Sequence, residues 1–396
     1  MLQKKGEELG WVIDGKLAVD PYPAIALNLL AGKGYIDDSS RVNLERLPLY
    51  TYFLVLIYKF WGSELWKLQV VQSTMDTISC LLLYFISLRT FQDRASALLA
   101  AFLYAVYFKV IALVARPFSE PLYIVLLLIF LYLFIRSFDR TAFALGAGVM
   151  LGMMTLTKPI TLMFPLVTGA LYIFRLKRLF VSRLLLFTAG FVFLVMPLVI
   201  RNYCLTGRVF LATGGKKMLY MGTVLNCRQN FRGEEGRLVK EINRDYAFPY
   251  NIGDDDLLGR LAVEKIVSDP GAYLQRMACR LYLFWAYPDY STKRMAAKTV
   301  LILLFNVALI LLTAGGLRIA GKRRIVYSPF LAIIIYYYGM YVLSYANSRY
   351  SLPLYPILFM FSSYGFLAVF RKKMAAHYKR NKEFLHRQKH RGHWNY

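Results

Sequence analysis

The chain has 396 residues, 58% of which are hydrophobic, and its mean hydropathy is +0.43. An ordinary soluble domain cannot bury so much apolar surface, so the composition excludes that class and indicates a membrane protein. The formal net charge of +26 would suit nucleic acid, but the cations stand at the ends of apolar stretches and in a C-terminal tail. Their placement favours membrane lipids, through the anionic headgroups of the cytoplasmic leaflet, and predicts no nucleic-acid partner.

Residues 1–67 hold two short apolar elements. The pattern at 25–30 predicts a short amphipathic helix that Gly32 and Gly34 end. Residues 48–61 are apolar over only about fourteen positions, which suits a helix lying flat on the outer surface better than a crossing. If this stretch did span, the N-terminus would be cytoplasmic, and that alternative stays open.

About nine later stretches are long and apolar enough to cross a bilayer. They lie near residues 68–88, 95–113, 118–136, 141–157, 160–174, 181–200, 298–316, 328–346 and 352–370. Every second turn between these spans carries several cations, and each of the other turns carries one. The positive-inside rule places the cation-rich turns in the cytoplasm. The cation-poor turns near 114–118, 156–160 and 347–351, with the long segment 201–297, then face outward.

This sidedness predicts an all-α polytopic protein of the plasma (inner) membrane, with any reaction site facing outside or the periplasm. The predicted parts are an outer loop with interfacial helices, a transmembrane bundle, an extracytoplasmic loop segment, C-terminal spans and a basic cytoplasmic tail, at residues 1–67, 68–200, 201–297, 298–370 and 371–396. Because the first of these spans runs from outside to inside, a further span is expected to precede it. Within the outer loop segment, Cys204 and Cys227 can form a disulfide or remain two free thiols.

Two carboxylates are expected at the outer face. Glu120 stands at the outer lip of a span, where a carboxylate is costly unless it is paired or faces a wet cavity. Its alternative role is to favour the helix N-terminus through the helix dipole. Asp20 precedes the first short helix, where it can act as an N-cap or as a solvated loop carboxylate.

Single cations accompany them on the same face. Lys158, Arg201 and Arg349 each end a span or occupy an outer turn, and any one of them alone would be an ordinary interfacial anchor. Together they place positive groups beside two carboxylates. A lipid-linked phosphate ester needs this chemistry, with cations for the phosphate and a carboxylate for the incoming nucleophile.

Short motifs in these segments resemble the GT-C glycosyltransferases, and most closely the protein-mannosyltransferase and aminoarabinose-transferase branch (glycosyltransferase family 39-like). The first-loop motifs are Asp20-Pro21-Tyr22, the run from Ile25 to Tyr35, Arg46-Leu47-Pro48-Leu49-Tyr50 and Phe60-Trp61-Gly62. The later motifs are Ser119-Glu120-Pro121, Thr157-Lys158-Pro159, Ile200-Arg201-Asn202-Tyr203 and Ser348-Arg349-Tyr350-Ser351-Leu352-Pro353. They follow the family's order along most of the chain.

The resemblance implies a GT-C-like bundle that moves a hexose or pentose from a polyprenyl-phosphate donor to a glycan, lipid or protein acceptor, with inversion. Asp20 would be the general base, and Glu120 would orient acceptor or sugar hydroxyls. The expected donor-phosphate ligands are Lys158, Arg201, Arg349 and Arg46, and the expected substrate contacts are Tyr22, Arg116 and Tyr350. A divalent cation bridging Asp20 and Glu120 is compatible with the sequence, although no ligand cluster marks it.

The alternative function is a transporter or flippase of a lipid-linked sugar. Such a protein is expected to carry charges inside its spans and often to have repeated halves. The sequence shows no convincing repeat, and its ionisable residues are expected to concentrate at lips and turns. This pattern favours the enzyme.

Overall fold

The computed structural model describes residues 12–13, 16–17, 21–36, 42–176, 180–224, 252–285, 293–320 and 324–391. A two-residue antiparallel ladder precedes the helices. The elements, in chain order, are β1 (Val12–Ile13), β2 (Lys16–Leu17), α1 (Tyr22–Leu30), α2 (Pro48–Phe60), α3 (Leu65–Phe91), α4 (Arg94–Ala105), α5 (Phe108–Val114), α6 (Glu120–Ser137), α7 (Ala142–Thr155), a 3₁₀ helix (Pro159–Met163), α8 (Phe164–Leu176), α9 (Phe180–Thr206), α10 (Gly215–Val224), α11 (Ile252–Ser268), α12 (Pro270–Leu283), α13 (Lys293–Ala320), α14 (Arg324–Leu343), a second 3₁₀ helix (Ser348–Leu354) and α15 (Tyr355–Arg391).

Every predicted span coincides with a helix or with a pair of helices. Among the described residues, six helices are long and apolar enough to cross a membrane, and there are seven if α4 and α5, bent by 54° at their junction, form one broken span. α7 and the apolar part of α14 are shorter apolar helices. The predicted all-helical membrane fold is therefore confirmed, while the number of crossings stays a prediction.

Glycines let the long helices approach each other closely. A Cβ added at Gly148 of α7 would lie 2.0 Å from the Phe187 carbonyl oxygen of α9, and one at Gly190 would lie 2.5 Å from the Leu145 carbonyl oxygen. The side chain of any larger residue would force the two backbones apart. Small residues at such crossings permit the van der Waals packing that holds membrane helices together.

We expect Gly148→Val to destabilise the bundle by about 1–3 kcal/mol, the usual cost of overpacking a close contact. Gly339→Val is the matched control, because a Cβ at Gly339 of α14 meets nothing within 4 Å. The thermal unfolding midpoint of each purified variant in detergent measures the difference. Equal midpoints would contradict the close α7–α9 crossing.

The segment that precedes the spans is fastened to them by α1 and α2. Gly32 and Gly34 follow the end of α1, as the sequence predicts, and have φ values of 71° and 87°. The backbone N–H of Leu49, in the first turn of α2, donates to the Leu156 carbonyl over 3.1 Å. One face of α2 is buried and the other leaves Phe60 79% exposed, a pattern that suits an interfacial helix.

A small unit forms around α10 and α11. Its own apolar core is Tyr220, Met221, Leu258 and Ala262. The Asp255 carboxylate accepts the backbone N–H groups of Gly214 and Lys217 over 3.3 and 3.2 Å. A carboxylate from α11 thereby satisfies N–H groups at the start of α10, a helix end that otherwise lacks partners.

The structure decides between the two alternatives for Cys204. It is a free, exposed thiol, so the alternative of a Cys204–Cys227 disulfide is wrong. Cys279 of α12 is disulfide-bonded, and Cys227 lies outside the described residues.

At the other end of the bundle, Arg371 donates two 3.0 Å hydrogen bonds to Asp93. α15 continues without a break to Arg391, so the predicted tail begins inside a helix.

Candidate active site

Three chain segments meet at the end of the bundle where α6 begins. Glu120 is the first residue of α6, and Pro121 follows it in the first turn, where a missing N–H costs the helix nothing. Lys158 precedes the 3₁₀ helix that begins at Pro159. Arg349 lies in the second 3₁₀ helix. The Asn347 side chain caps the start of that helix, because its Oδ1 accepts the Arg349 backbone N–H over 3.0 Å.

Glu120 joins these segments through one oxygen. Lys158 Nζ donates to Glu120 Oε1 over 2.7 Å, and Arg349 Nε donates to the same oxygen over 2.6 Å. The Glu120 side chain is fully buried, whereas 30% of the Arg349 side chain is exposed. Among the described residues, two cations share this one carboxylate, so the described cluster has a net positive charge at the surface of the bundle.

The second oxygen of Glu120 is a buried acceptor. Glu120 Oε2 has no hydrogen-bond partner among the described residues. Burying such a group without a partner costs free energy, so natural structures seldom keep one without a reason. This atom can accept a hydroxyl that arrives with a substrate.

Aromatic rings hold the two cations in place. Lys158 Nζ lies 5.7 Å from the centre of the Tyr350 ring and 5.8 Å from that of Tyr123, and the Arg349 guanidinium lies 4.1 Å from the Phe118 ring centre. The face of an aromatic ring attracts a cation at these distances. The rings also exclude water, which strengthens the charge interactions inside the cluster.

A second pair of cations lies on the loop between α1 and α2 and near the end of α9. Arg46 stands 5.6 Å from the Tyr22 ring centre, and Arg201 stands 5.3 Å from that of Tyr35. The Tyr35 hydroxyl donates to the Arg46 carbonyl over 3.0 Å. Burial raises the pKa of that hydroxyl, which therefore stays protonated. Arg46 also interacts electrostatically with Tyr350, so the two pairs of cations border one region.

The structure brings together most of the predicted site residues. These are Glu120, Lys158, Arg349, Arg46, Arg201, Tyr22 and Tyr350. Arg116 does not join them through its side chain, which is exposed, and only its backbone enters the described contacts. Asp20 lies outside the described residues.

Sequence reasoning missed several residues that build the site. Phe118, Tyr123 and Tyr35 were not predicted as site residues. The sequence indicated them only weakly, as aromatic residues close to the motifs that carry the cations. Gln72, a fully buried polar residue within the predicted span of α3, was a clearer signal. Its Nε2 donates to the carbonyls of Val114 and Arg116 over 2.9 and 2.8 Å, which fixes the loop that leads into Glu120.

The described residues include no group of three His, Cys, Asp or Glu that could hold a metal ion. Glu120 Oε1 already accepts from two cations. A divalent ion bridging Glu120 to Asp20 would involve a residue outside the described ones, and it stays a prediction.

Comparison with known proteins supports the fold. Residues 45–200 match the model of the family described as dolichyl-phosphate-mannose-protein mannosyltransferase. The archaeal oligosaccharyltransferase AglB from Archaeoglobus fulgidus, in complex with an inhibitory peptide and a dolichol-phosphate, is 13% identical over 91% of this chain and 47% of its own, with a TM-score of 0.54. The apo form of that enzyme is 14% identical with the same coverage and TM-score.

ArnT from Cupriavidus metallidurans bound to undecaprenyl phosphate is 12% identical over 89% of this chain and 74% of its own, with a TM-score of 0.39. No curated protein matches the chain in sequence. The chain spans about half the length of the AglB structures that it matches. The predicted GT-C-like fold is confirmed, and the family match includes the segments that carry Arg46, Glu120 and Lys158.

Proposed function

We propose that this protein is a membrane glycosyltransferase that moves a sugar from a polyprenyl-phosphate donor to an acceptor on the non-cytoplasmic face. The observation that carries the proposal is the meeting of Lys158 and Arg349 on the buried Glu120, within a GT-C-like fold. The matched family is described by a dolichyl-phosphate sugar donor, and the AglB structure holds a dolichol-phosphate. Both descriptions agree with a lipid phosphate as the ligand.

The charge of the cluster suits a phosphate. Among the described residues, Lys158 and Arg349 together exceed the charge of Glu120 by one. Arg201 adds a positive group nearby, and so does Arg46, which lies 3.9 Å from Glu45. A phosphate bound between such cations forms charge-assisted hydrogen bonds, which are stronger than neutral ones. Because the lipid phosphate departs as a stable anion, these cations replace a general acid.

Glu120 has two roles in this proposal. Its Oε1 fixes the positions of Lys158 and Arg349, so the phosphate-binding groups are already in place before the donor arrives. Its Oε2 accepts a hydrogen bond from a hydroxyl of the sugar or of the acceptor. The second role uses the buried oxygen that lacks a partner among the described residues.

The remaining assignments follow from the family resemblance. Asp20 takes the proton of the acceptor as general base, and a single displacement inverts the anomeric centre. Tyr22, Tyr350 and Arg116 contact the substrates. The sugar is a hexose or pentose, and the acceptor is a glycan, lipid or protein.

A transporter or flippase of a lipid-linked sugar is the second candidate, because the structure shows ionisable residues inside membrane helices. The expectation that such residues concentrate at lips and turns is wrong for Asp76 of α3 and Lys109 of α5. Lys109 is 8% exposed, and its Nζ has no hydrogen-bond partner among the described residues. It lies in the broken pair α4–α5, and transporters use broken helices of this kind.

One experiment separates the two functions. Purified protein in vesicles is given a fluorescent polyprenyl-phosphate sugar and candidate acceptors, and the lipid products are resolved by chromatography. An enzyme releases lipid phosphate, whereas a flippase moves the intact donor between leaflets. Donor that changes leaflet with no release of lipid phosphate would overturn the enzyme.

Lys158→Met is expected to slow the release of lipid phosphate by about tenfold to a hundredfold, the effect of losing one hydrogen bond to a charged group. Lys67→Met is its control, since Lys67 pairs with the partly exposed Glu64 at the start of α3. Equal rates for the two variants would remove Lys158 from the phosphate site. The rate is measured under donor concentrations below saturation, where weaker binding is visible.

A further inference from the structure

α3 carries polar side chains along one flank in the middle of the membrane. Their spacing of three, four or one residues places them on the same side of the helix. They are Gln69, Ser73, Asp76, Thr77 and Cys80, here called the polar flank. Ser73 and Thr77 are exposed and the other three are partly exposed, so the flank borders the surface of the bundle.

Asp76 lies deep in the predicted span. At 1.5 Å per residue, it is about 16 Å from the start of α3 at Leu65 and about 22 Å from its end at Phe91. The polar flank therefore reaches the middle of the hydrocarbon, where a carboxylate is rare and most often has a function. The proposed transfer reaction does not use it.

The described contacts of the flank leave the carboxylate largely unsatisfied. The Tyr104 hydroxyl of α4 donates to Asp76 Oδ1 over 2.7 Å, whereas an ionised carboxylate can accept about four hydrogen bonds. The hydroxyls of Ser73 and Thr77 donate to carbonyls of their own helix, over 2.8 and 3.0 Å. No described cation forms an ion pair with Asp76.

We propose that the polar flank is the docking face for another transmembrane helix that carries a Lys or Arg at the depth of Asp76. A cation is the occupant whose charge complements the carboxylate. The occupant is a helix because only helices and closed barrels bring polar groups into hydrocarbon with their backbones satisfied. Ser73, Thr77 and Cys80 have small side chains, which let a second helix approach closely.

A second copy of this chain fits the flank less well. Symmetric pairing would bring the same surface of each copy together. Asp76 would then face Asp76, and two carboxylates at close range disfavour each other's charged form. A partner with a basic residue removes this conflict.

The test uses two synthetic transmembrane peptides of about 20 leucines, one with a central Lys and one with a central Met. Energy transfer between labelled peptide and labelled full-length protein in vesicles measures association. We expect the Lys peptide to bind the protein at least about fivefold more tightly than the Met peptide. Asp76→Asn, which keeps the shape of the side chain, is expected to abolish that preference.

Two further variants make the test specific. Asp139→Asn, in the exposed turn after α6, is the matched control and should keep the preference. Thr77→Phe, which leaves Asp76 in place and fills an exposed position of the flank, should weaken binding of the Lys peptide. Equal binding of both peptides, or an unchanged preference in Asp76→Asn, would overturn the proposal. So would self-association of the protein that is lost in Asp76→Asn, because it would make a second copy the occupant.

Discussion

Glu120→Ala is expected to lower the free energy of unfolding by about 3–5 kcal/mol, the usual cost of removing one partner from a buried ion pair. Lys158 Nζ and Arg349 Nε both donate to the removed oxygen, so the substitution leaves two cations without their carboxylate. Sugar transfer is expected to fall with it, because the phosphate-binding groups lose the anchor that positions them. Thermal unfolding in detergent and the release of lipid phosphate measure the two effects.

A double variant separates stability from activity. Combining Glu120→Ala with Lys158→Met also removes the Lys158 charge, which the single change leaves buried. Replacing both members of a buried ion pair by apolar groups often changes stability little. We expect the double variant to recover part of the lost stability and none of the transfer activity. Full recovery of activity would show that Glu120 and Lys158 act only as structural partners of each other.

The control for Glu120→Ala is Glu64→Ala. Glu64 also pairs with a lysine at the start of a membrane helix, but 45% of its side chain is exposed. Water and salt screen such a pair, so its removal should change neither the unfolding midpoint nor the rate. Equal losses in the two variants would contradict the special role of the buried carboxylate.

The helices of this protein could be predicted from the sequence because each is a local property. Length and apolarity over about twenty residues identify a span wherever it packs. The same reasoning located α1 from its apolar pattern and the glycines after it, and α2 from the length of its apolar stretch. The break between α4 and α5 was missed, because an apolar stretch interrupted near Val106 has the same hydropathy as a straight helix.

The contacts within the site could not be predicted to the same extent. Glu120, Lys158 and Arg349 were chosen separately, for their places in motifs and at the ends of spans. That all three share one oxygen depends on the packing of α6 beside two 3₁₀ helices, which are far apart in sequence. The state of the cysteines was left open for the same reason, and the structure shows a free Cys204 and a disulfide-bonded Cys279.

Arg116 lies apart from the other described site residues, and its role as a substrate contact stays a prediction. It adjoins the Ser119-Glu120-Pro121 motif, and closeness in sequence made it a predicted substrate contact. Gln72 binds its backbone carbonyl and so holds the loop in one orientation, which leaves the Arg116 side chain exposed. A residue next to a motif in the sequence can therefore have its side chain outside the cluster that the motif forms.

Asp20→Asn is expected to slow sugar transfer by about 10²- to 10⁴-fold, the range that a positioned general base contributes. Asparagine keeps the size of the side chain but cannot take the acceptor's proton at neutral pH. Asp20 directly precedes Pro21 and Tyr22 in the sequence, and the Tyr22 ring lies against Arg46. Single-turnover rates with saturating donor measure the chemical step.

Comparison with Lys158→Met shows whether Asp20 acts on the proton or on the phosphate. A base should affect the rate at saturating donor and leave donor affinity unchanged, whereas a phosphate ligand should weaken donor binding as well. Asp269→Asn is the matched control, because Asp269 caps α12 by accepting the Ala272 N–H over 2.9 Å and asparagine caps a helix equally well. An Asp20→Asn enzyme that keeps its full rate would require another proton acceptor. Glu120 is poorly suited to that role, because Lys158 and Arg349 both donate to its carboxylate and stabilise the charged form.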